Sequence, residues 1–213
     1  MARGVDAAGL APSVCWGRGL TTGNATAAIG TIVAHIVGPL SVELGHYDMI
    51  ERLARCCSSY LEVGTYAGGS LRAAITGNPR LARVVCCDSW LMRMKEGHPR
   101  GHAHIEAILE AMGYEGAVEF LDGKSSEMLP GLVGPFDLTV VDADHSEAAC
   151  YEDMRLVWPL TAVVMLVHDV WQHLEVRTAI WRFLRELPAG SARAALCAGD
   201  HGTLALFRAG GAP

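Results

Sequence analysis

Tyr60-Leu-Glu-Val-Gly-Thr-Tyr-Ala-Gly-Gly-Ser70 is the stretch on which the reading of the fold turns. Ser59–Val63 is short and mostly apolar, as expected of a buried strand, and Gly64 ends it with the residue that bends most freely. A helix is expected from about Ser70. Strand, glycine-rich bend and helix in that order make a βα turn, whose amides and helix N-terminus can face a ligand. Gly64 is expected to form the bend. Gly68 is expected to let a ligand approach the backbone with no Cβ in the way.

Outward from this turn the chain alternates strand and helix. Further strands are expected at 84–87, 118–121, 138–141 and 162–167, and helices at 104–112, 125–132, 146–158 and 173–187. Upstream, residues 46–57 place Met49, Ile50, Leu53 and Ala54 at helical spacing, and residues 26–37 form an apolar segment stopped by Gly38-Pro39. At the other end, apolar runs at 192–197 and 203–207 flank Gly199-Asp200-His201-Gly202, a hairpin signal. The expected fold is therefore α/β: a mostly parallel sheet with helices on both faces, finished by a C-terminal antiparallel β-hairpin. Residues 1–46 are expected to be an arm and helical cap, and 47–213 a single domain.

Composition narrows the function. The 213 residues carry 17 basic and 23 acidic side chains, a net charge of −6 that argues against nucleic acid as a partner. No apolar run approaches the roughly 18 residues of a membrane span, and no signal-peptide core follows Met1, so a cytoplasmic protein without membrane attachment is expected. Seven cysteines include the pairs Cys56-Cys57 and Cys86-Cys87, yet none forms C-x-x-C. They read as reduced core thiols.

The cofactor follows from the bend. Asp88 ends the next strand, 24 residues beyond Gly64. A carboxylate there can accept hydrogen bonds from both ribose hydroxyls. A dinucleotide site wants G-x-G-x-x-G, whereas this sequence reads G-x-x-x-G-G with Thr65-Tyr66 in the approach. Glu62 would oppose a pyrophosphate but suits the cationic amino group of a methionine moiety. S-adenosylmethionine is the better fit.

Five segments carry a family resemblance: residues 61–70, Cys87-Asp-Ser-Trp90, Leu121-Asp-Gly-Lys-Ser125, Val141-Asp-Ala-Asp-His-Ser146 and Val167-His-Asp169. From about residue 47 to 208 the chain resembles class I S-adenosylmethionine-dependent methyltransferases, and is most similar to a small group marked by an Asp-x-Asp-His motif. The resemblance implies a Rossmann-like seven-stranded sheet whose last strand is antiparallel. By that likeness Glu62, Gly64 and Ser70 line the methionine end, with Thr65, Tyr66 and Gly68 in the same loop. Asp88, with Ser89 beside it, holds the ribose. Gly123, Lys124 and Ser125 take the adenine, and Asp142 completes the set. The group commonly has a glycine pair before the fifth strand. Pro159-Leu-Thr-Ala stands here instead, which implies a reshaped turn.

Two chemistries are open at the ends of the fourth and fifth strands. In one, Asp142 and Asp169, with His168 or Asp144, hold Mg²⁺ or another divalent cation that lowers the pKa of a substrate hydroxyl. This resembles the catechol and caffeoyl-coenzyme A methyltransferases, although those carry Asp-Asn where His168-Asp169 stands. In the other, no metal binds, and His145 or His168 removes the acceptor's proton beside Asp142. Structural roles compete: Asp142 or Asp144 can cap the helix starting near Ser146, and His98, His102 and His104 suit a solvated loop. Trp90, Trp158, Trp171 and Trp181 suit core or pocket walls, with Trp171 the one expected to touch ligand. The expected function is O-methylation of a small hydroxylated molecule, with N-methylation and homo-oligomerisation open. The alternatives are an NAD-dependent oxidoreductase and an inactive methyltransferase-like binding module.

Overall fold

A computed structural model describes residues 45–89, 101–197, 199 and 201–209. The arm before residue 45, the segment 26–37, Trp90, His98 and most of the loop at 91–103 lie outside the described residues. The first described helix, α1 (His46–Ala54), turns Met49, Ile50, Leu53 and Ala54 inward, as their spacing predicts. There follow β1 (Ser59–Val63), α2 (Gly69–Gly77), β2 (Arg83–Cys87), α3 (His102–Ala111), β3 (Val118–Leu121) and α4 (Ser125–Met128). Then come β4 (Phe136–Val141), α5 (Glu147–Val157), a 3-10 turn (Trp158–Leu160), β5 (Thr161–Val167), α6 (Leu174–Glu186), β6 (Ala192–Cys197) and β7 (Thr203–Arg208).

The seven strands form one sheet in the order β3-β2-β1-β4-β5-β7-β6. The first five are parallel. β7 runs antiparallel to β5, and β6 pairs antiparallel to β7 on the outside. The hairpin thus joins the sheet through its second strand. The strand order reverses between β1 and β4, and ligands of open α/β sheets bind at the carboxyl ends there.

Both sheet faces are covered, which is why the strands read as continuous apolar runs. Tyr60, Cys86, Leu138, Val140 and Leu166 pack on one side with Ile50 of α1 and Leu71 of α2. Leu61, Val85, Val141, Met165 and Val167 pack on the other with Met154 of α5 and Phe183 of α6. Pro159 sits in the 3-10 turn leading into β5, and the β4–β5 register shifts between Phe136 and Leu138.

The six described cysteines are free thiols, five of them buried. Burial pushes Cys87 and Cys150 up to about 12, so these are inert packing groups. Trp158 is a core residue, but Trp181 is 67% exposed, contrary to its expected place in a wall. Among the described residues no helix is long and apolar enough to cross a membrane.

Candidate active site

The bend after β1 is tightly determined. Gly64 has φ +99°, and its N–H donates to the Cys87 carbonyl at 2.9 Å. A Cβ there would collide with the carbonyl oxygen of Asp142 and stand 2.8 Å from the Ala143 Cα. The β1 and β4 ends therefore touch at this point. Tyr66 adopts φ +48° without being glycine. Its N–H donates to Asp88 Oδ2 at 2.7 Å, holding that carboxylate against the loop. Gly68 caps α2 at φ +78°, and a Cβ would meet Ile105 Cδ1 at 2.7 Å. The absence of a Cβ serves the left-handed turn and the close approach of α3.

A cleft of about 1090 Å³ opens at these strand ends. Gly64, Thr65, Tyr66 and Ser70 contribute to its wall, as do Asp88 and Ser89 after β2. Gly123, Lys124 and Ser125 enter from the β3–α4 turn, and Asp142 and His145 from beyond β4. Two expected cofactor residues stand outside it. Gly68 is one. Glu62 is the other: it is 0% exposed beneath the bend, where its Oε2 accepts from Tyr60 Oη and Ser70 Oγ, each at 2.7 Å. Burial pushes its pKa up, against these hydrogen bonds. Ser70 is the link from Glu62 to the cleft.

Beside the cleft, residues from five segments gather. Asp142 N–H donates to Val63 O at 2.9 Å and His168 N–H to Val141 O at 3.1 Å, so the ends of β1, β4 and β5 stay in line. His145 Nε2 lies 2.9 Å from Asp169 Oδ2 and 3.6 Å from Asp142 Oδ1. His168 Nδ1 lies 3.2 Å from Asp142 Oδ2 and 3.5 Å from Asp169 Oδ1. These are ion-pair separations, but their directions miss hydrogen-bond geometry at both ring nitrogens. His201, from the β6–β7 turn, meets Asp169 Oδ1 at 3.0 Å. Asp169 is 6% exposed and holds φ +60°, a left-handed backbone that turns the chain sharply after β5. Rings stack outward from the cluster: His46 on His168 at 3.9 Å and His173 on His145 at 4.4 Å.

The electrostatics follow from this crowding. Burial works against the Asp142 charge, but the imidazoles of His145 and His168 outweigh it and hold its pKa at about 2. The neighbouring carboxylates, Asp142 first, raise His145. Burial opposes the charge on His168, yet Asp142 still carries its pKa upward.

Asp142, His168 and Asp169 do not form one ligand set. The imidazole of His168 stands within 3.5 Å of both carboxylates. Among the described residues, the groups whose donor atoms converge are His46–Asp142–His168, His145–Asp169–His173 and His168–Asp169–His201, and the set Asp142, Asp169 and His168 expected from resemblance is not one of them. Capping is settled as well. Ser146 Oγ accepts from Ala149 N–H at 3.4 Å, and Asp144 accepts from Ser146 N–H at 2.8 Å, so Asp144 shapes the turn into α5. His102 lies 2.8 Å from Asp122 and stacks on Phe120, away from this cluster.

Sequence reasoning missed His46, His173 and His201, which arrive from elements distant in the chain, and Tyr47, whose ring lies over Gly69. It also missed Asp153 of α5, which lines the cleft. Burial pushes that carboxyl up to about 6 against a hydrogen bond from Ser125 Oγ. Trp171 is half-exposed, and its ring lies where a Cβ on Gly202 would be.

A family model described as a methyltransferase domain matches residues 61–170, from β1 to the turn after β5. No curated protein matches the chain. Among solved structures it is similar to the O-methyltransferase TomG from Streptomyces achromogenes, involved in tomaymycin synthesis and in complex with SAM. Identity there is 20% over 89% of each chain, with a TM-score of 0.60. An O-methyltransferase from Bacillus cereus in complex with SAH is 18% identical over 88% of this chain and 100% of that one, TM-score 0.57. An SAH-bound methyltransferase from Podospora anserina is 19% identical over 87% of this chain and 88% of that one, TM-score 0.57. At such identities the likeness is one of fold. The family match, by contrast, takes in more than half of the chain and every strand end that forms the cleft. This chain belongs to the methyltransferase-domain family, on the Rossmann-like sheet of the class I enzymes.

Proposed function

We propose that this protein transfers a methyl group from S-adenosylmethionine to a hydroxyl of a small molecule, with His145 taking the hydroxyl proton. The observation that carries the reading is one continuous cleft joining the glycine bend and Asp88 to Asp142 and His145. Its chemistry suits the cofactor. Asp88 offers a carboxylate for two ribose hydroxyls, Thr65 and Ser70 offer hydroxyls at the bend, and Gly123, Lys124 and Ser125 line the part of the cleft assigned to the base. When bound, the cofactor supplies a methyl carbon on a sulfonium, an electrophile that needs no acid.

The chain's own work is then positioning and proton removal. His145 faces the cleft with the buried Asp169 carboxylate 2.9 Å behind its Nε2. A neutral imidazole there accepts the hydroxyl proton as the oxygen attacks, and the two carboxylates strengthen it as a base. Glu62 steadies Ser70 from beneath. A hard cation shared by Asp142, His168 and Asp169 does not fit the arrangement, and no step is assigned to one. The G-x-x-x-G-G spacing and the family match both support S-adenosylmethionine over a nicotinamide dinucleotide. The net charge of −6 accords with a small-molecule enzyme of the cytoplasm rather than one that acts on nucleic acid.

Thermal unfolding tests the cofactor class. S-adenosylhomocysteine at 100 times its Kd should stabilise the protein by about 2.7 kcal/mol, whereas NADH should leave the midpoint unchanged. Stabilisation by NADH alone would overturn the assignment.

A further inference from the structure

We propose that Asp153 selects adenine as the base of the cofactor, its carboxylate accepting a hydrogen bond from the exocyclic 6-amino group. The inference rests on the methyltransferase reading and deepens it at the part of the cleft assigned to the base.

Asp153 lies midway along α5 and is 4% exposed, yet it stands in the cleft wall. A carboxylate so placed must be paired with a cation or well supplied with donors. The charges that Asp153 feels, Glu152 and Asp144, share its own sign, and burial pushes its pKa up to about 6. It is still ionised at neutral pH, and an ionised carboxylate accepts hydrogen bonds and donates none.

The protein supplies it with one donor. Ser125 Oγ, at the start of α4, donates to Asp153 Oδ1. Among the described residues no hydrogen bond reaches Oδ2, and that oxygen is not one of the sealed, unsatisfied atoms. Oδ2 therefore keeps an open side, and the space beside Asp153 is the cleft. A ligand N–H placed there completes what the protein leaves undone.

The surroundings suit a flat base. Ala149 stands one helical turn before Asp153 on the same face of α5, and it lines the cleft together with the equally small Ala148. Gly123 and Ser126 enter the same wall from the β3–α4 turn. Cys87, the residue before Asp88, feels the Asp153 charge. The two carboxylates thus border neighbouring parts of one cleft, as ribose and base are neighbours in a nucleoside. A group that can only accept attracts the 6-amino group of adenine and repels a 6-oxo group set against it.

The test is calorimetric titration of the full-length protein at neutral pH with S-adenosylhomocysteine and with its 6-deamino analogue, in which purine replaces adenine. Wild type should bind the analogue about 10–100-fold more weakly, the loss expected for one hydrogen bond to a charged group. Asp153→Asn keeps the size of the side chain and an oxygen for Ser125. It should bind S-adenosylhomocysteine about 10–100-fold more weakly than wild type does. It should bind the analogue with wild-type affinity, which also establishes that the variant is folded. Equal affinity of wild type for the two ligands would overturn the proposal, as would an Asp153→Asn protein that discriminates between them as wild type does. The wild-type comparison needs no variant, so it decides the matter even where Asp153→Asn does not fold. Equal binding of both ligands rejects adenine selection and leaves the methyltransferase reading intact, whereas binding of neither rejects both.

Discussion

His145 is the residue at which charge, position and chemistry meet. It reaches the cleft, and Asp142 and Asp169 raise its pKa above the ordinary 6.5. A base must be neutral to act, so kcat/KM should rise with pH through a value above 6.5, and Asp142→Asn should move that inflection downward. A pH–rate profile of the two proteins checks it. An unmoved inflection would remove His145 as the base. His145→Gln should lower kcat by about 10²–10⁴-fold with little change in cofactor affinity, measured by turnover and titration on the same preparation. The same contacts set a stability window. Asp142, depressed from 3.8 to about 2, stabilises the fold above pH 3.8 and loses that contribution as pH falls through about 2. The raised His145 and His168 stabilise it below 6.5 and lose theirs as pH rises through their folded values. These are two views of one interaction, worth about 2 kcal/mol. The unfolding midpoint should therefore peak between pH 4 and 6.5, and Asp142→Asn should flatten both limbs of that curve. Asp88, Asp142 and Asp169 were legible in the sequence because each stands at, or one residue beyond, the end of an apolar run where a strand must end. The sequence singles out Glu62 but does not reveal its burial. Its neighbours Leu61 and Val63 face the opposite side of the sheet, and nothing local says that Tyr60 and Ser70 close over it.

At the scale of elements, the bend after β1 separates two glycines that look alike in sequence. Gly64→Ala forces a Cβ into the backbone of Asp142 and Ala143, just past β4, at φ +99°, and neither segment can yield. Soluble yield or thermal midpoint should fall steeply, by several kcal/mol. Gly68→Ala meets only the tip of Ile105, so its cost should be the left-handed backbone penalty of about 1–2 kcal/mol. Its affinity for S-adenosylhomocysteine should stay within a few-fold of wild type, because Gly68 is not in the cleft wall. A Gly68→Ala protein that folds normally but no longer binds would restore that glycine to the cofactor site. Strand positions were legible because both sheet faces are buried, which leaves uninterrupted apolar runs such as Ala162 to Val167. The pairing of β7 rather than β6 with β5 was not. The Gly-Asp-His-Gly turn specifies that two strands pair, not which one meets the sheet, and the inward choice falls to β7, with Leu204 and Leu206 buried against β5.

For the molecule as a whole, the site is assembled by the reversal of strand order between β1 and β4, which sets the glycine bend beside Asp142. Around it the ends of the described chain converge. His46 of α1 meets Thr203 of β7 across 157 residues of sequence, and His201 meets Asp169. No local pattern reveals contacts of that range, which is why His46, His173 and His201 escaped sequence reading while the fold class, His145 and His168 did not. The central claim is that the cleft holds a nucleoside by its ribose at Asp88, with the reacting end toward His145. Calorimetric titration of wild type and Asp88→Ala with S-adenosylhomocysteine tests it most directly. Wild type should bind one equivalent, and Asp88→Ala should weaken binding by about 10–100-fold, the value of charge-assisted hydrogen bonds worth about 1.5–3 kcal/mol. Absence of binding to the wild type, or equal affinity in the two proteins, would contradict the account.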